Sequence, residues 1–225
     1  MREKFKKRSV SVVVFSLLIC MIVTSVNAYY TDHHSIVNVF TTGKVKIELN
    51  EPKYDRPENV KTRESLAPGE LVIKDPAITN TGKSDCFVFA VFHIPRSNRT
   101  FIDSNGKKMP VEFRNLFEFE ENNGWSYCTG SINDDVSKPY ESFIYAYSDG
   151  NVMTALKPGE KTSTLFKNDT LKFANVMEID EKVKYEIPVT VYAIQSTDLI
   201  DSEGGQISTT SAYRALFMQL FFEEL

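Results

Sequence analysis

Apolar and polar residues alternate with a period of two through much of this chain, which is the pattern of a strand with one buried face. Val45, Ile47 and Leu49 alternate with charged residues. Between Asp85 and Ile94 the chain is apolar at successive positions, which is typical of a central strand covered on both faces. Further strands are predicted at Val111–Phe119, Gly124–Cys128, Ser142–Tyr147, Ser163–Phe166, Leu171–Val176 and Tyr185–Ile194.

Turn sequences separate these strands. Asn80-Thr81-Gly82 and Asn105-Gly106 are two of them. Two longer connections, Leu66–Glu70 and Leu156–Glu160, share the order Pro, Gly, Glu, and Pro followed by Gly suits the centre of a type II turn. Many short strands separated by turns predict an all-β fold, a two-sheet jelly roll or β-sandwich.

The C-terminal region has a different period. Apolar residues recur at helical spacing from Ala212 to Phe221, and Thr209, Thr210 and Ser211 are N-cap candidates. The pattern predicts a short amphipathic helix that packs on the chain's own sheets. The alternative is a docking surface for a partner.

The N-terminus has the organisation of a secretory signal. Five basic residues within Arg2–Arg8 precede an apolar core, Val10–Val23, which is short for a membrane span of ~20 residues. Val26-Asn27-Ala28 then offers small or modest side chains to a signal peptidase, so we expect cleavage between Ala28 and Tyr29. The alternative is an uncleaved anchor. In either case the rest of the chain lies outside the membrane, and the cleaved chain meets the membrane only during export.

Residues 29–225 are then expected to form a single domain. Residues 1–28 carry five of the 26 basic residues and one of the 30 acidic ones, which leaves 21 basic and 29 acidic residues, a net charge of −8. Because no basic stripe is present to displace counterions, we expect no nucleic-acid partner.

Two cysteines, Cys86 and Cys128, remain after cleavage. In an exported protein they can close one disulfide, which in the chain-entropy model contributes roughly 4 kcal/mol. The alternative is two buried thiols that act as small apolar residues.

Catalytic motifs are scarce. His33 and His34 offer at most two ligands where a zinc site needs three or four, and His93 lies in an apolar strand. The acidic groups Glu118, Glu120, Glu121 and Asn133-Asp134-Asp135 lack the spacing of an EF-hand loop. We therefore assign no catalytic, metal or cofactor-binding residue and expect no cofactor.

Several segments, in order, carry a resemblance to a known family. Ala28-Tyr29-Tyr30-Thr31-Asp32, then Asn38–Gly43, then Lys44–Leu49, resemble the start of the TasA/camelysin family, whose members are exported with a SipW-dependent type of signal peptide. Leu66–Glu70 with Asn80-Thr81-Gly82 continue the resemblance, and Val191–Gln195 extends it towards the C-terminus.

The resemblance implies a jelly-roll domain, processing by a signal peptidase of the SipW type, and a place at the cell surface or in a biofilm matrix. It also implies assembly into fibres, in which an N-terminal strand of one subunit completes the sheet of the next. Val45, Ile47 and Leu49 are the candidate donor residues. The partner would be the chain itself, as a head-to-tail homopolymer, or a related matrix protein. The alternative is that Gly43–Leu49 pairs within its own domain.

The name camelysin implies a second activity, that of a metallo-endopeptidase. No zinc-protease motif in the sequence accompanies that implication. The expected function is therefore a secreted structural protein and not an enzyme. The alternatives are a secreted metallo-endopeptidase or a monomeric surface adhesion or binding module.

Overall fold

The computed structural model describes residues 45–56, 59, 66–128, 138–178, 185–196, 199 and 206–222. All of these residues belong to one compact unit, Ser35–Leu225. The predicted cleavage site between Ala28 and Tyr29 lies outside the described residues, and so do His33 and His34. The boundary between signal and domain therefore stays a prediction.

Eleven strands and one α-helix make up the described part of the chain. In order they are β1 (Ile47–Asn50), β2 (Leu71–Ile73), β3 (Ala77–Asn80), β4 (Cys86–Ile102), β5 (Lys108–Asn115), β6 (Phe117–Glu118), β7 (Trp125–Tyr127), β8 (Tyr140–Asp149), β9 (Val152–Met153), β10 (Thr170–Phe173), β11 (Val189–Gln195) and α1 (Thr209–Phe222). A short 3-10 helix, Lys167–Asp169, precedes β10.

The largest sheet has six strands. Four of them run in the order β11-β4-β8-β7, while β5 pairs with β4 and β9 pairs with β8. All these pairings are antiparallel. The long strand β4 is central, because β11 lies along one edge and β8 along the other. The apolar segment of the sequence thus became the middle of the sheet, as predicted.

A second layer covers one face of this sheet, which we call the inner face. The layer consists of the three-stranded sheet β2-β10-β6 and the two-stranded sheet β1-β3. Alternate residues of β4, including Val88, Ala90 and Phe92, point into the core between the layers. There Phe92 meets Phe166 from the opposite layer with ring centroids 5.0 Å apart.

The helix α1 covers the other face of the sheet, which we call the helix face. Phe87, Phe89 and Val91 of β4 form one buried cluster with Ala212 and Leu216 of α1. The fold is therefore an all-β sandwich with a short C-terminal helix on its own sheet, as the sequence predicted. In the described part of the chain, no helix has the length and apolar character needed to span a membrane.

The two Pro-Gly-Glu connections adopt the same turn. Gly69 and Gly159 have φ of 81° and 82°, the left-handed region that the third position of a type II turn requires. In each turn the Glu side chain, Glu70 or Glu160, accepts a hydrogen bond from a backbone N–H three residues earlier. At Gly69 a Cβ would lie 2.7 Å from Asn175 Oδ1, so a larger residue would also collide.

Two of the predicted strands differ from the structure in more than the position of their ends. The strand expected over Val111–Phe119 is divided at Leu116, whose N–H donates to Pro95 O, so β5 stays with β4 while β6 joins the opposite layer. Val111 is consequently 65% exposed. The strand expected over Ser163–Phe166 is wrong: only an isolated bridge, Phe166 to Glu121, forms there.

Candidate functional site

Two of the candidate donor residues, Ile47 and Leu49, lie in the strand β1, and the third, Val45, lies two residues before it. Val45 and Ile47 are 2% and 3% exposed, and Leu49 packs against the same inner core. β1 pairs antiparallel with β3, from Ile47 opposite Asn80 to Asn50 opposite Ala77. In the single chain, β1 is thus the first strand of its own sandwich, which is the alternative that the sequence left open.

A buried ion pair lies directly after β1. Glu51 Oε2 is 3.0 Å from Lys74 Nζ, and the two side chains are only 9% and 7% exposed. The Lys74 ammonium also lies 4.3 Å from the ring centroid of Tyr54. Burial raises the pKa of Glu51 against the opposing effect of Lys74, and Glu51 Oε1 has no hydrogen-bond partner. The pair is therefore sensitive to the loss of either member.

Asp75 holds the segment that follows β1 by accepting hydrogen bonds from the backbone of that segment. Its carboxylate, on a residue that is 1% exposed, accepts hydrogen bonds of 2.9 Å from the N–H groups of Lys53 and Tyr54. We call Glu51, Lys74 and Asp75 the strand anchor. Together they fix the chain that leaves β1 to the chain that leaves β2.

The sequence reasoning missed the strand anchor. The signal that could have revealed it is Lys74-Asp75, two charged residues inside the otherwise apolar stretch from Val72 to Ile78. Charged side chains at such positions are rarely buried unless they are paired, so they predict a partner elsewhere in the chain. No pattern in the sequence identifies Glu51 as that partner.

The two cysteines lie on opposite faces of the large sheet. Cys86 belongs to the inner core and Cys128 to the cluster under the helix, and both are free thiols in the structure. Burial, with a smaller contribution from Asp85, raises the pKa of Cys86 to about 12. Burial alone raises the pKa of Cys128 to about 11. The disulfide stays a prediction, and this arrangement favours two unreactive thiols.

His93 is held within the sheet. Its Nδ1 lies 2.8 Å from Ser142 Oγ, and its ring centroid lies 4.9 Å from that of Tyr140. Burial, with a smaller contribution from Lys138, lowers the pKa of His93. This histidine is a partnered, half-buried side chain and does not converge with other described ligands.

Two of the acidic residues that the sequence analysis considered as calcium ligands form ion pairs on the surface instead. Glu118 pairs with Lys172 and Glu120 pairs with Lys167. The group Asn133-Asp134-Asp135 lies outside the described residues. Within the residues that the structure describes, no three His, Cys, Asp or Glu side chains converge as a metal site requires.

Residues 4–113 match the family model described as camelysin metallo-endopeptidase. The resemblance of the sequence to the TasA/camelysin family is thereby confirmed over residues 4–113. The matched segment extends from the N-terminal region through β4 and most of β5, so it contains β1 and the strand anchor. The remainder of the inner core, including Phe166 and Phe173, comes from residues beyond the match. The comparisons with curated proteins and with solved structures each found no match.

The match to this family model favours a secreted or surface protein. The family description also implies a metallopeptidase. The described residues do not fit that implication, because His93 is held by Ser142 and no converging ligand set accompanies it. No step of a proteolytic reaction can be assigned to them.

Proposed function

We propose that this chain is a structural protein of the cell surface or extracellular matrix, and that copies associate head to tail, each donating its N-terminal strand to the next copy. The partner is a second copy of the chain or a related matrix protein. Processing by a signal peptidase of the SipW type frees the N-terminal segment. The match of residues 4–113 to the camelysin family model and the β-sandwich support this proposal.

The burial of β1 carries the proposal. This four-residue strand pairs only with β3 among the described residues, yet its Ile47, and Val45 just before it, are almost completely buried in the inner core. Burying such side chains contributes about 1.5–3 kcal/mol each. The same contacts can be supplied by β1 of a neighbouring copy, because an exchanged element reforms its native contacts.

The strand anchor would travel with β1 in such an exchange. Glu51, Lys53 and Tyr54 follow β1 directly, whereas Lys74 and Asp75 belong to the receiving domain. An exchanged copy would therefore restore both the ion pair and the backbone hydrogen bonds. A head-to-tail contact of this kind does not close on itself, so it yields filaments.

A disulfide across β1 and β3 tests the exchange. Glu48 lies directly opposite Thr79, and Cα atoms of such antiparallel pairs are about 4.5–5.5 Å apart, within the range for a disulfide. In the double variant Glu48→Cys/Thr79→Cys, oxidation of the monomer should lock β1 in its own domain and prevent filaments. Oxidation after assembly should instead link copies into a ladder on a non-reducing gel.

Electron microscopy reports whether filaments form, and the gel reports whether copies are cross-linked. Wild type treated with the same oxidant is the control. Filaments from the locked monomer would refute exchange of β1. A second variant, with Tyr29 to Phe40 deleted, asks whether the segment preceding β1 contributes. Filaments of normal length from that deletion would leave β1 as the donor and remove the upstream segment from the proposal.

A further inference from the structure

The outer edge of β5 is a free sheet edge in the described part of the chain. Among the described residues β5 pairs only with β4, whereas β4 continues on its other side to a bridge between Phe101 and Val176. Val111 of β5 is 65% exposed, and the side chains of Glu112 and Arg114 are 42% and 48% exposed. An accessible edge of this kind is a template for a further strand.

The pairing of β4 shows which backbone groups of β5 point to this edge. Thr100 lies opposite Val111, and Thr100 O accepts a hydrogen bond of 3.0 Å from Met177 N–H, on the side of β4 away from β5. In an antiparallel ladder, two opposite residues either bond to each other or both point away from each other. Val111 therefore directs its N–H and C=O to the free edge, and the alternation of the strand gives Phe113 and Asn115 the same direction.

The regular part of this edge extends from Val111 to Asn115. Before it, the pairing of β4 with β5 shifts register between Thr100 and Ile102, which marks a β-bulge. After it, the chain crosses to the opposite layer at Leu116 and forms β6. A strand that adds here pairs with this short segment, so the side chains of the segment determine which strand fits.

The charges of the segment complement each other when the segment pairs antiparallel with itself. If Phe113 lies opposite Phe113 of a second copy, Glu112 of each copy lies opposite Arg114 of the other. Opposite charges on facing strands stabilise a sheet, and like charges destabilise it. Pairing centred on Glu112 would place two carboxylates opposite each other, and pairing centred on Arg114 would do the same with two guanidinium groups. The charges therefore favour one register.

Within one copy the same two charges are only loosely paired. Arg114 Nη1 lies 3.7 Å from Glu112 Oε2 on the surface, where such a pair contributes little. The Arg114 guanidinium lies 5.0 Å from the ring centroid of Phe101, which keeps it beside the strand. Pairing with a second copy gives each charge a directly opposite partner and brings two Phe113 rings together as a cross-strand aromatic pair.

We infer that two copies of this chain associate through β5, which joins their six-stranded sheets edge to edge in an antiparallel register centred on Phe113. Both copies use the same surface, so the contact closes at two copies. It differs from the head-to-tail donation of β1, which does not close, and it does not need filaments to form. Where filaments do form, the β5 contact joins them side by side.

Charge reversal tests the contact and its register. The oxidised Glu48→Cys/Thr79→Cys protein, in which β1 is locked in its own domain, should show a monomer–dimer equilibrium and no larger species in sedimentation velocity at low ionic strength. In that protein Glu112→Arg alone and Arg114→Glu alone should each weaken dimerisation by about tenfold or more, because like charges then face each other twice. An equal mixture of the two variants should form a heterodimer, since every arginine again faces a glutamate. The double variant Glu112→Arg/Arg114→Glu should dimerise as the parent does.

The matched control is the exposed pair Glu120 and Lys167, which lies outside β5. Glu120→Arg and Lys167→Glu change the net charge by the same amounts as the two β5 variants and should leave dimerisation unchanged. Thermal melts establish that each variant is folded. Equal weakening by the control variants would show that net charge alone governs association, and it would overturn the inference.

Hydrogen exchange gives a test that needs no change in β5. In the locked protein the amides of Val111, Phe113 and Asn115 should exchange more slowly as protein concentration rises, while those of Glu112 and Arg114, which face β4, change little. The inference is overturned if no dimer forms, if neither single reversal weakens it, or if the mixture and the double variant do not restore it. A dimer that leaves the three edge amides unprotected would overturn it independently of any charge variant.

Discussion

The two faces of the six-stranded sheet are covered in different ways. The inner face is covered by strands drawn from the whole described chain, from β1 to β10, and Phe92 is surrounded there by Phe119, Phe143 and Phe166 at centroid distances of 5.0–5.4 Å. The helix face is covered chiefly by one C-terminal element, through Ala212 and Leu216. One face thus depends on many distant segments, whereas the other depends largely on one helix.

This difference predicts that substitutions on the two faces will affect stability in different ways. A change in the inner core disturbs strands that are far apart in sequence, so the whole sandwich should lose stability together. A change under α1 should loosen mainly the helix, which can open as a local unit. The five variants and measurements below test that distinction, beginning with the largest expected effect.

Ile47→Asp should have the largest effect. It places a carboxylate at a position that is 3% exposed in the inner core, so it loses apolar burial and buries a charge without a partner. We expect the free energy of unfolding, measured with denaturant, to fall by roughly 4 kcal/mol or more. The exposed neighbour provides the control, because Glu48→Asp should change stability by less than about 0.5 kcal/mol. A loss below about 1 kcal/mol for Ile47→Asp would contradict the importance of β1 to the inner core.

Lys74→Met should cost nearly as much, because it leaves Glu51 as a buried carboxylate without its cation. We expect a loss of about 3–5 kcal/mol at neutral pH. The pKa of Glu51 is already raised by burial, and removal of Lys74 should raise it further. A group with a raised folded-state pKa destabilises the fold as the pH rises through that pKa, so the loss should shrink towards acidic pH.

The control for this pair is an exposed one. Lys172→Met removes the ammonium that contacts Glu118, where both side chains are about half exposed. It should change stability by no more than about 1 kcal/mol at any pH. If Lys74→Met were equally mild, or if its cost grew on acidification, the strand anchor would not stabilise β1.

Leu216→Ala tests the helix face. Leu216 is 5% exposed and packs in the cluster under α1, so we expect a loss of about 2–3 kcal/mol. Hydrogen exchange should accelerate first in α1, while amides of β4 stay protected. Arg214→Ala, at an exposed position of the same helix, is the control. Equal acceleration in β4 and α1 would show that the two faces unfold as one unit.

The sequence predicted those parts of the fold that depend on local pattern. The apolar run of β4, the paired Pro-Gly-Glu turns and the amphipathic α1 each follow from neighbouring residues, and each was confirmed. The break of the predicted strand Val111–Phe119 at Leu116 could not be predicted from neighbouring residues. Leu116 leaves one sheet for the other because Pro95 and Ala174, distant in sequence, take its backbone hydrogen bonds.

The candidate sites show the same limit. The alternation of Val45, Ile47 and Leu49 predicted that one face of β1 is buried, but it could not distinguish the chain's own core from a neighbour's. The strand anchor joins residues 21 to 23 positions apart, with no spacing rule between them. Such sites become visible only when the strands are paired.

Ser208→Ala should have a smaller effect, confined to the helix face. Ser208 Oγ accepts a hydrogen bond of 3.1 Å from Ser211 N–H at the start of α1, which makes Ser208 the N-cap just before the predicted candidates. Loss of the cap should cost about 1 kcal/mol in denaturant unfolding. Ser208→Asp, which keeps an acceptor there, should retain most of the stability. A loss as large as that of Leu216→Ala would mean that the cap, and not packing, holds the helix.

Reduction of the protein is expected to have the smallest effect on stability. The two thiols also serve as labelling sites, one on each face of the large sheet. Cys86 lies in the inner core and Cys128 under the helix, with the sheet between them. Because burial raises both pKa values, to about 12 and about 11, neither thiol should react with a maleimide at pH 7 while the protein is folded. After denaturation without reductant, mass spectrometry should find two labelled cysteines in each chain that has been cleaved after Ala28, and reductant should leave the melting temperature of the native protein unchanged. A chain with no labelled cysteine would establish the disulfide instead, and it would require the two faces to approach each other in a way that this packing does not provide.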